Sequence, residues 1–190
     1  MGSISPNPYF TKSVEDDFRE NILENTLKGL KSEGLLFKGI IFFGLVLTDK
    51  GVYLLEYNLR FGDPETQGLL YTLRSDLVEV LHKTLEGKLS EDDIHYEEDT
   101  ALCVVLASKG YPLNYKKNID ITQVIANAPE GVKVYAYASE EKNGKIYSKG
   151  GRVLSVVACG NGEEVFTKVY GYLDKLQEPD LIFRKDIGRI

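Results

Sequence analysis

A glutamate, an asparagine and an arginine stand at alternate positions in Glu56-Tyr57-Asn58-Leu59-Arg60. Alternate side chains of a β-strand share a face, so Glu56, Asn58 and Arg60 are expected to project together, with Leu55, Tyr57 and Leu59 opposite. A carboxylate and an amide oxygen two residues apart span about 7 Å of strand. Hard oxygens at that reach suit Mg²⁺, which takes one or two carboxylates and completes its shell with substrate phosphates and water. An arginine one step further can hold phosphate oxygens and stabilise charge that develops during phosphoryl transfer. Alternating polar residues also line many ordinary exposed sheet faces. The continuation tips the balance toward chemistry, because the strand runs directly into Phe61-Gly62-Asp63-Pro64-Glu65-Thr66-Gln67. There Asp63 as N-cap, Pro64 at the first helical position and Glu65 would open a helix whose backbone N–H groups favour anions.

The elements that must position these residues follow from hydrophobic spacing. Val14, Phe18, Ile22, Leu23, Leu27 and Leu30 predict a helix from Ser13 to Glu33, with Ser13 and Asp16 as a capping-box start and Gly34 as its stop. The run GIIFFGLVLT is too short for a comparable helix and reads as a buried strand, with Gly44 marking a close backbone approach. Asp49-Lys50-Gly51 is a hairpin turn that returns the chain through Val52 to Asn58. One long helix is then expected from Asp63 to Gly87, with Leu70, Leu73, Leu77, Leu81 and Leu85 as its stripe.

An acidic stretch, Ser90 to Asp99, marks an expected boundary between a first domain of residues 1–95 and a second of residues 96–190. Beyond it short strands are expected at Thr100–Ser108, Asp120–Ile125, Val132–Ser139, Lys145–Tyr147 and Arg152–Cys159, and a last helix at about Gly162–Leu176. The fold class is therefore α/β (α+β), with a second domain that is mostly β and carries one packed helix.

Charge and composition exclude several classes. A net charge of −6 with no basic stripe argues against a nucleic-acid partner. No apolar run has the length of a membrane span, and MGSISPNPYF has neither a secretion nor a transit pattern. Cys103 and Cys159 each lie inside an apolar run, as small buried hydrophobes do, which points to a reducing compartment, the cytoplasm. His82 and His95 are isolated and read as ordinary surface or satisfied residues. Lys149-Gly150-Gly151-Arg152 reads first, from its spacing, as a glycine turn between strands with two ordinary cations, and second as a phosphate contact made by those cations and main-chain N–H groups.

The stretch FFGLVLTDKGVYLLEYNLRFGDPETQ, followed in order by LRSDL, ASKGYP, KGGRVLSVVACG and FRKDIG, resembles the phosphoribosylamine–glycine ligase family of ATP-grasp enzymes over nearly the whole chain. The resemblance implies a fold and a reaction. The fold would be the second half of an ATP-grasp domain followed by a carboxyl-terminal ligase domain. In the reaction, ATP phosphorylates the carboxylate of glycine and the amine of 5-phosphoribosylamine displaces the phosphate, giving glycinamide ribonucleotide, ADP and phosphate. Glu56 and Asn58 match the family's Mg²⁺ or Mn²⁺ ligands, and Arg60 its arginine beside the transferred phosphate. Asp63 and Glu65 match substrate-side acidic positions, and Lys149 and Arg152 would contact the ribosylamine substrate.

The family's preceding parallel-strand domain, ATP lid and adenine-facing hinge have no counterpart here, and Met1-Gly2 falls where the family has GGMG. The chain is therefore expected to be inactive alone and to need amino-terminal ligase domains in the same or a separate chain. Three other readings stay open: a different ATP-grasp ligase or carboxylase subunit, a non-catalytic assembly module, and a split-ligase subunit.

Overall fold

The computed structural model describes residues 1–189. In chain order its elements are β1 (Gly2–Ser5), α1 (Lys12–Phe18), a π-helical turn (Arg19–Leu23), α2 (Glu24–Ser32), β2 (Phe42–Thr48), β3 (Gly51–Asn58), α3 (Glu65–Thr72) and α4 (Leu77–Glu86). A 3-10 turn (Glu91–Asp93), β4 (Thr100–Ser108), α5 (Thr122–Ala126), β5 (Val132–Ala136), β6 (Ser139–Lys142), β7 (Lys145–Ser148), β8 (Arg152–Gly160), α6 (Gly162–Leu173) and β9 (Leu181–Ile182) complete it. The chain divides into two compact units. A sheet unit holds Met1–Ser5, Asp63–Thr72 and Glu97–Ile190; a hairpin unit holds Pro6–Gly62 and Leu73–Tyr96. Beyond the residues expected in a carboxyl-terminal domain, the sheet unit thus takes β1 and α3 from the first part of the chain.

In the sheet unit, β1, β4, β8 and β5 lie side by side in that order, all antiparallel, and β9 pairs with the end of β4. β4 and β8 are apolar at nearly every position because helices cover both faces of the sheet. Leu102, Val104 and Leu106 join Val165, Val169 and Leu173 of α6 in one core, all fully or almost fully buried. The intervening Ala101, Cys103 and Val105 are equally buried. α3 packs against β1, β4 and β8, with Gly68 facing the Ala101 side chain, where a Cβ would make an ordinary contact at 3.5 Å. Each fully buried Leu or Val removes enough apolar surface from water to contribute about 1.5–3 kcal/mol.

In the hairpin unit the helical segment from Lys12 to Ser32 lies along one face of the β2–β3 hairpin. Phe18 meets Phe43 edge-on at 5.1 Å, and Phe43 meets Tyr57 at 5.5 Å. Asp17 accepts a hydrogen bond from the Val52 N–H at 2.8 Å, and the Thr26 and Tyr57 hydroxyls pair at 2.8 Å. The turn at Asp49-Lys50 is closed by Gly51, whose φ of +115° suits a residue without Cβ.

Several expectations from the sequence are corrected. The first helix begins at Lys12 with Thr11 as its cap, because the Thr11 hydroxyl accepts from the Val14 N–H. The run expected to be a buried strand is only half-buried, since β2 pairs with β3 alone. The single long helix is two helices. α3 stops at Thr72, Leu73 forms a bridge with Tyr96, and Asp76 restarts the helix by accepting from the Val78 and Glu79 N–H groups. Asp120–Ile125 is a helical turn rather than a strand. Asp120 Oδ1 accepts from both the N–H and hydroxyl of Thr122, and Ile121 and Val124 enter the core at helical spacing. Val132–Ser139 divides between β5 and the start of β6, which belong to different sheets.

Candidate functional site

Glu56 and Asn58 lie on β3, and the register of the hairpin determines their face. Glu56 pairs with Gly44 and Asn58 with Phe42, while Tyr57 pairs with Phe43 on the face that meets Phe18. The register shifts between Gly44 and Leu45, so that Leu45 pairs with Leu54 and Leu55 is the extra residue of a bulge. Without that bulge, simple alternation would place Glu56 on the same face as the buried Val52. With it, Val52, Leu54 and Tyr57 share the helix-covered face, and Glu56 and Asn58 share the other. Gly44 is what leaves room, since a Cβ there would meet the Glu56 side chain at 2.9 Å.

Asn58 Nδ2 donates to Glu56 Oε1 at 2.9 Å, so the two heads are adjacent. Among the described residues no group of three or more His, Cys, Asp and Glu side chains could hold a metal. The donor set of one carboxylate and one amide therefore fits a cation that takes few protein oxygens and relies on nucleotide phosphates, and does not fit a closed protein cage. Arg60 stands beyond the strand, which ends at Asn58, and its guanidinium donates to the Phe61 carbonyl at 2.7 Å. The expected alternation through Arg60 thus stops two residues short.

In the sheet unit, Asp63 is the centre of a hydrogen-bonded cluster. Its Oδ1 accepts from the Tyr137 hydroxyl at 2.7 Å and from Gln67 Nε2 at 3.0 Å; its Oδ2 accepts from Arg152 Nη1 at 2.9 Å. Arg152 Nη1 also reaches the Asp63 carbonyl at 3.1 Å. Burial pushes the Asp63 carboxyl up, but the hydrogen bonds from Gln67 and Tyr137 and the Arg152 charge outweigh it and hold the pKa below the ordinary value of 3.8. Burial and the bond to Asp63 together raise the Tyr137 phenol well above its ordinary value. Pro64 separates Asp63 from α3, so the helix begins at Glu65, one residue later than expected. Glu65 lies in its first turn, where a negative charge suits the helix dipole.

The two cations of Lys149-Gly150-Gly151-Arg152 go separate ways. Lys149 pairs with Glu140 and donates to Asn118 Oδ1, beside an open polar cleft also lined by Lys142, Asn143 and Tyr147. Arg152 pairs with Asp63 instead. Gly151 connects this motif with Ala107–Pro112: a Cβ at Gly151 would meet the Tyr111 ring at 2.2 Å, and the Ser108 N–H donates to the Gly151 carbonyl at 2.8 Å. Hydrogen bonding with Tyr111 is the largest effect raising the Arg152 pKa, which the Asp63 charge reinforces.

The structure therefore brings Glu56 and Asn58 together in one unit, and Asp63 and Arg152 together in the other. It does not join Lys149 to Arg152. Sequence reasoning missed Tyr137 and Gln67. Gln67 lies within the quoted motif, and its i, i+4 spacing from Asp63 on a helical path was the available signal. Tyr137 is separated from Asp63 by 74 residues, with no local sign of the contact.

Comparison with known proteins matches two stretches of the chain. Residues 1–66 match the ATP-grasp (A) domain of phosphoribosylglycinamide synthetase, and residues 101–190 match its C domain. A phosphoribosylamine–glycine ligase of Clostridium acetobutylicum is 45% identical over 190 residues, which is 100% of this chain and 45% of that protein. The crystal structure of the phosphoribosylamine–glycine ligase of Thermotoga maritima superposes with a TM-score of 0.79 at 32% identity, covering 98% of this chain and 46% of that one. A biotin carboxylase of Campylobacter jejuni, at 16% identity and a TM-score of 0.62, shares the fold over 97% of this chain and 39% of its own. The chain spans a little under half the length of the curated ligase it matches. With two of the family's domain models matched in order, and with the motifs that carry the match placed on β3, α3, β4 and β8, the chain belongs to the phosphoribosylglycinamide synthetase family.

Proposed function

We propose that this chain is the carboxyl-terminal part of an ATP-dependent ligase that joins glycine to 5-phosphoribosylamine. The observation that carries the reading is the pairing of Glu56 with Asn58 on one strand face, inside a segment matching the family's ATP-grasp domain. In the reaction the γ-phosphoryl group of ATP passes to a carboxylate oxygen of glycine, releasing ADP. The amine nitrogen then attacks the acyl carbon, a C–N bond forms and phosphate leaves.

Glu56 and Asn58 would hold Mg²⁺ or Mn²⁺, which supplies charge neutralisation at the phosphates. Arg60 serves the phosphate oxygens beside them once its guanidinium leaves the Phe61 carbonyl, and its planar fork suits that task better than an ammonium. Asp63, kept ionised by its three donors, accepts hydrogen bonds from the substrate side. Glu65 adds a second carboxylate at the start of α3, Lys149 serves the phosphate of the ribosylamine from the polar cleft beside Asn118, and Arg152 balances the charge of Asp63 on the substrate side. The amino-terminal ligase domains complete the enzyme. The cytoplasm is the compartment that suits two free cysteines, one of them buried with its thiol pushed up to about 12 by burial. Among the described residues no helix is long and apolar enough to cross a membrane.

Two measurements test this. Phosphoryl transfer depends on positioning over the triphosphate, so the isolated chain is expected to release ADP only at background with glycine and phosphoribosylamine present. In a complete ligase carrying this chain, Glu56→Gln is expected to lower turnover at limiting Mg²⁺ by about 100-fold, comparable with losing a strong metal contact, and to leave stability nearly unchanged. Normal turnover by that variant would end the assignment.

A further inference from the structure

We propose that Tyr137 and Gln67 are positioning residues that fix the Asp63 carboxylate in one orientation and one charge state for the amine-bearing substrate. This rests on the reading of Asp63 as a substrate-side acceptor. A carboxylate accepts about four hydrogen bonds in all. Tyr137 and Gln67 occupy Oδ1, Arg152 takes one site on Oδ2, and the carboxylate still has an accepting position on Oδ2 for an N–H donor.

The three donors come from three elements. Gln67 lies on α3, Tyr137 in the link between β5 and β6, and Arg152 at the start of β8. Rotation of the Asp63 side chain would break bonds to all three at once. Tyr137 cannot replace Arg152 as a charge partner, and Arg152 alone would leave the carboxylate free to turn about a single contact. Orientation is therefore supplied by the two neutral donors, and charge balance by the arginine. Gln67 also bonds weakly to the Tyr137 hydroxyl at 3.4 Å, so the neutral donors brace each other. Gln67 Oε1 has no hydrogen-bond partner although it is shielded from solvent. That leaves a second acceptor in the same cluster, and a buried acceptor without a donor is costly unless something fills it. An amine N–H can donate to the open position on Oδ2, whereas an ionised carboxylate or phosphate has no hydrogen to donate there.

The first arm of the test uses this chain as it is. Carbon-detected NMR follows the Asp63 carboxyl from pH 7 to pH 3, with amide spectra monitoring the fold. In the wild type the carboxylate stays ionised through most of that range. In Tyr137→Phe, and independently in Gln67→Met, the midpoint rises by about half a unit to one unit, the share of one donor among the two or three that depress such a group. An unchanged midpoint in both folded variants overturns the proposal.

The second arm uses a complete ligase carrying this chain. Tyr137→Phe is expected to raise KM for phosphoribosylamine about tenfold while KM for ATP stays the same, a split that general loosening of the sheet unit would not produce. Equal effects on both substrates, or none, overturn the positioning role and leave the ligase assignment intact. Absence of glycine-dependent ADP release in the unmodified complete enzyme removes the assignment and this inference with it.

Discussion

The sheet unit and the hairpin unit have similar apolar content in their strands but use it differently. In the sheet unit both faces of β4 and β8 are covered, and residues from Ala101 to Leu106 are at most 1% exposed. In the hairpin unit the most buried described hydrophobics, Ile22 and Val52, still keep 9% of their surface exposed, while Leu35, Leu36, Leu55 and Leu59 lie open, Leu36 at 87%. The helical segment, Ile41 and β3 frame an apolar hollow of about 720 Å³ that includes Ile22, Leu30, Leu54, Tyr57 and Leu59. An exposed apolar surface of that kind is uncommon on a soluble domain. The sheet unit closes its core on both faces, whereas the hairpin unit leaves much of its apolar surface open. Local stability should differ accordingly, with the hairpin opening more readily than the sheet.

The strongest way to break this comparison is a matched pair of truncations. Leu154→Ala, at a fully buried position in β8, is expected to cost about 2–5 kcal/mol in denaturant unfolding of the sheet unit. Leu59→Ala in the hairpin unit is expected to change stability by no more than about 0.5 kcal/mol. Similar costs for both would mean that the two units are equally packed.

A smaller effect sharpens the picture of the hairpin unit. Asp76 caps α4 through two backbone N–H groups, so Asp76→Ala is expected to cost about 1 kcal/mol. Where so little core supports the helix, its amides should then lose hydrogen-exchange protection while those of β4 and β8 keep theirs. Protection lost equally in both units would show that they unfold together.

The smallest effect is electrostatic. Hydrogen bonds from Lys145 and Thr122 lower the Asp120 carboxyl from 3.8 to about 2. A depressed folded pKa contributes stability that is present above the unfolded value and lost as pH falls through the folded one. The contribution of Asp120 is therefore expected to disappear between about pH 3.8 and pH 2. Asp120→Asn should flatten the acid dependence of the sheet unit in that window, and Asp93→Asn, lowered to about 2 by Lys83 and Ser90, should do so for the hairpin unit. An unaltered acid profile in either variant would show that its ion pair is fully screened by solvent, as exposed pairs often are.

What the sequence made legible follows the same line between the units. β4, β8 and α6 are read almost to their ends, because local pattern and tertiary environment agree when both faces of a strand are buried. The break between α3 and α4 was hidden by Leu73 and Leu77, which continue the helical stripe although Leu73 turns to pair with Tyr96. The Ser75-Asp76 pair carries a cap signal there, which the apolar spacing outweighed. At Asp120–Ile125 the β-branched residues suggested a strand, but Asp120 closed a local turn through the Thr122 hydroxyl. At the candidate site Glu56 and Asn58 are neighbours on one face, yet simple alternation justifies this only from Glu56 onward. The Asp63 partners were the least legible, because Tyr137 and Arg152 lie 74 and 89 residues further along the chain, a separation that leaves no periodic trace.

The bulge at Leu55 acts on side chains as a frameshift acts on codons. Every residue before it is read in one phase and every residue after it in the other, while the backbone pairing of Leu54 with Leu45 and Glu56 with Gly44 is preserved on both sides. Deleting Leu55 would restore a flat ladder without moving Glu56 from its place opposite Gly44. An inserted or deleted residue between Glu56 and Asn58 has no such compensation. It would turn one member of the pair toward Phe18 and Phe43 and leave the other outside. In this hairpin, length is therefore under tighter physical constraint than composition, and a single-residue insertion should be far more damaging than most substitutions at the same positions.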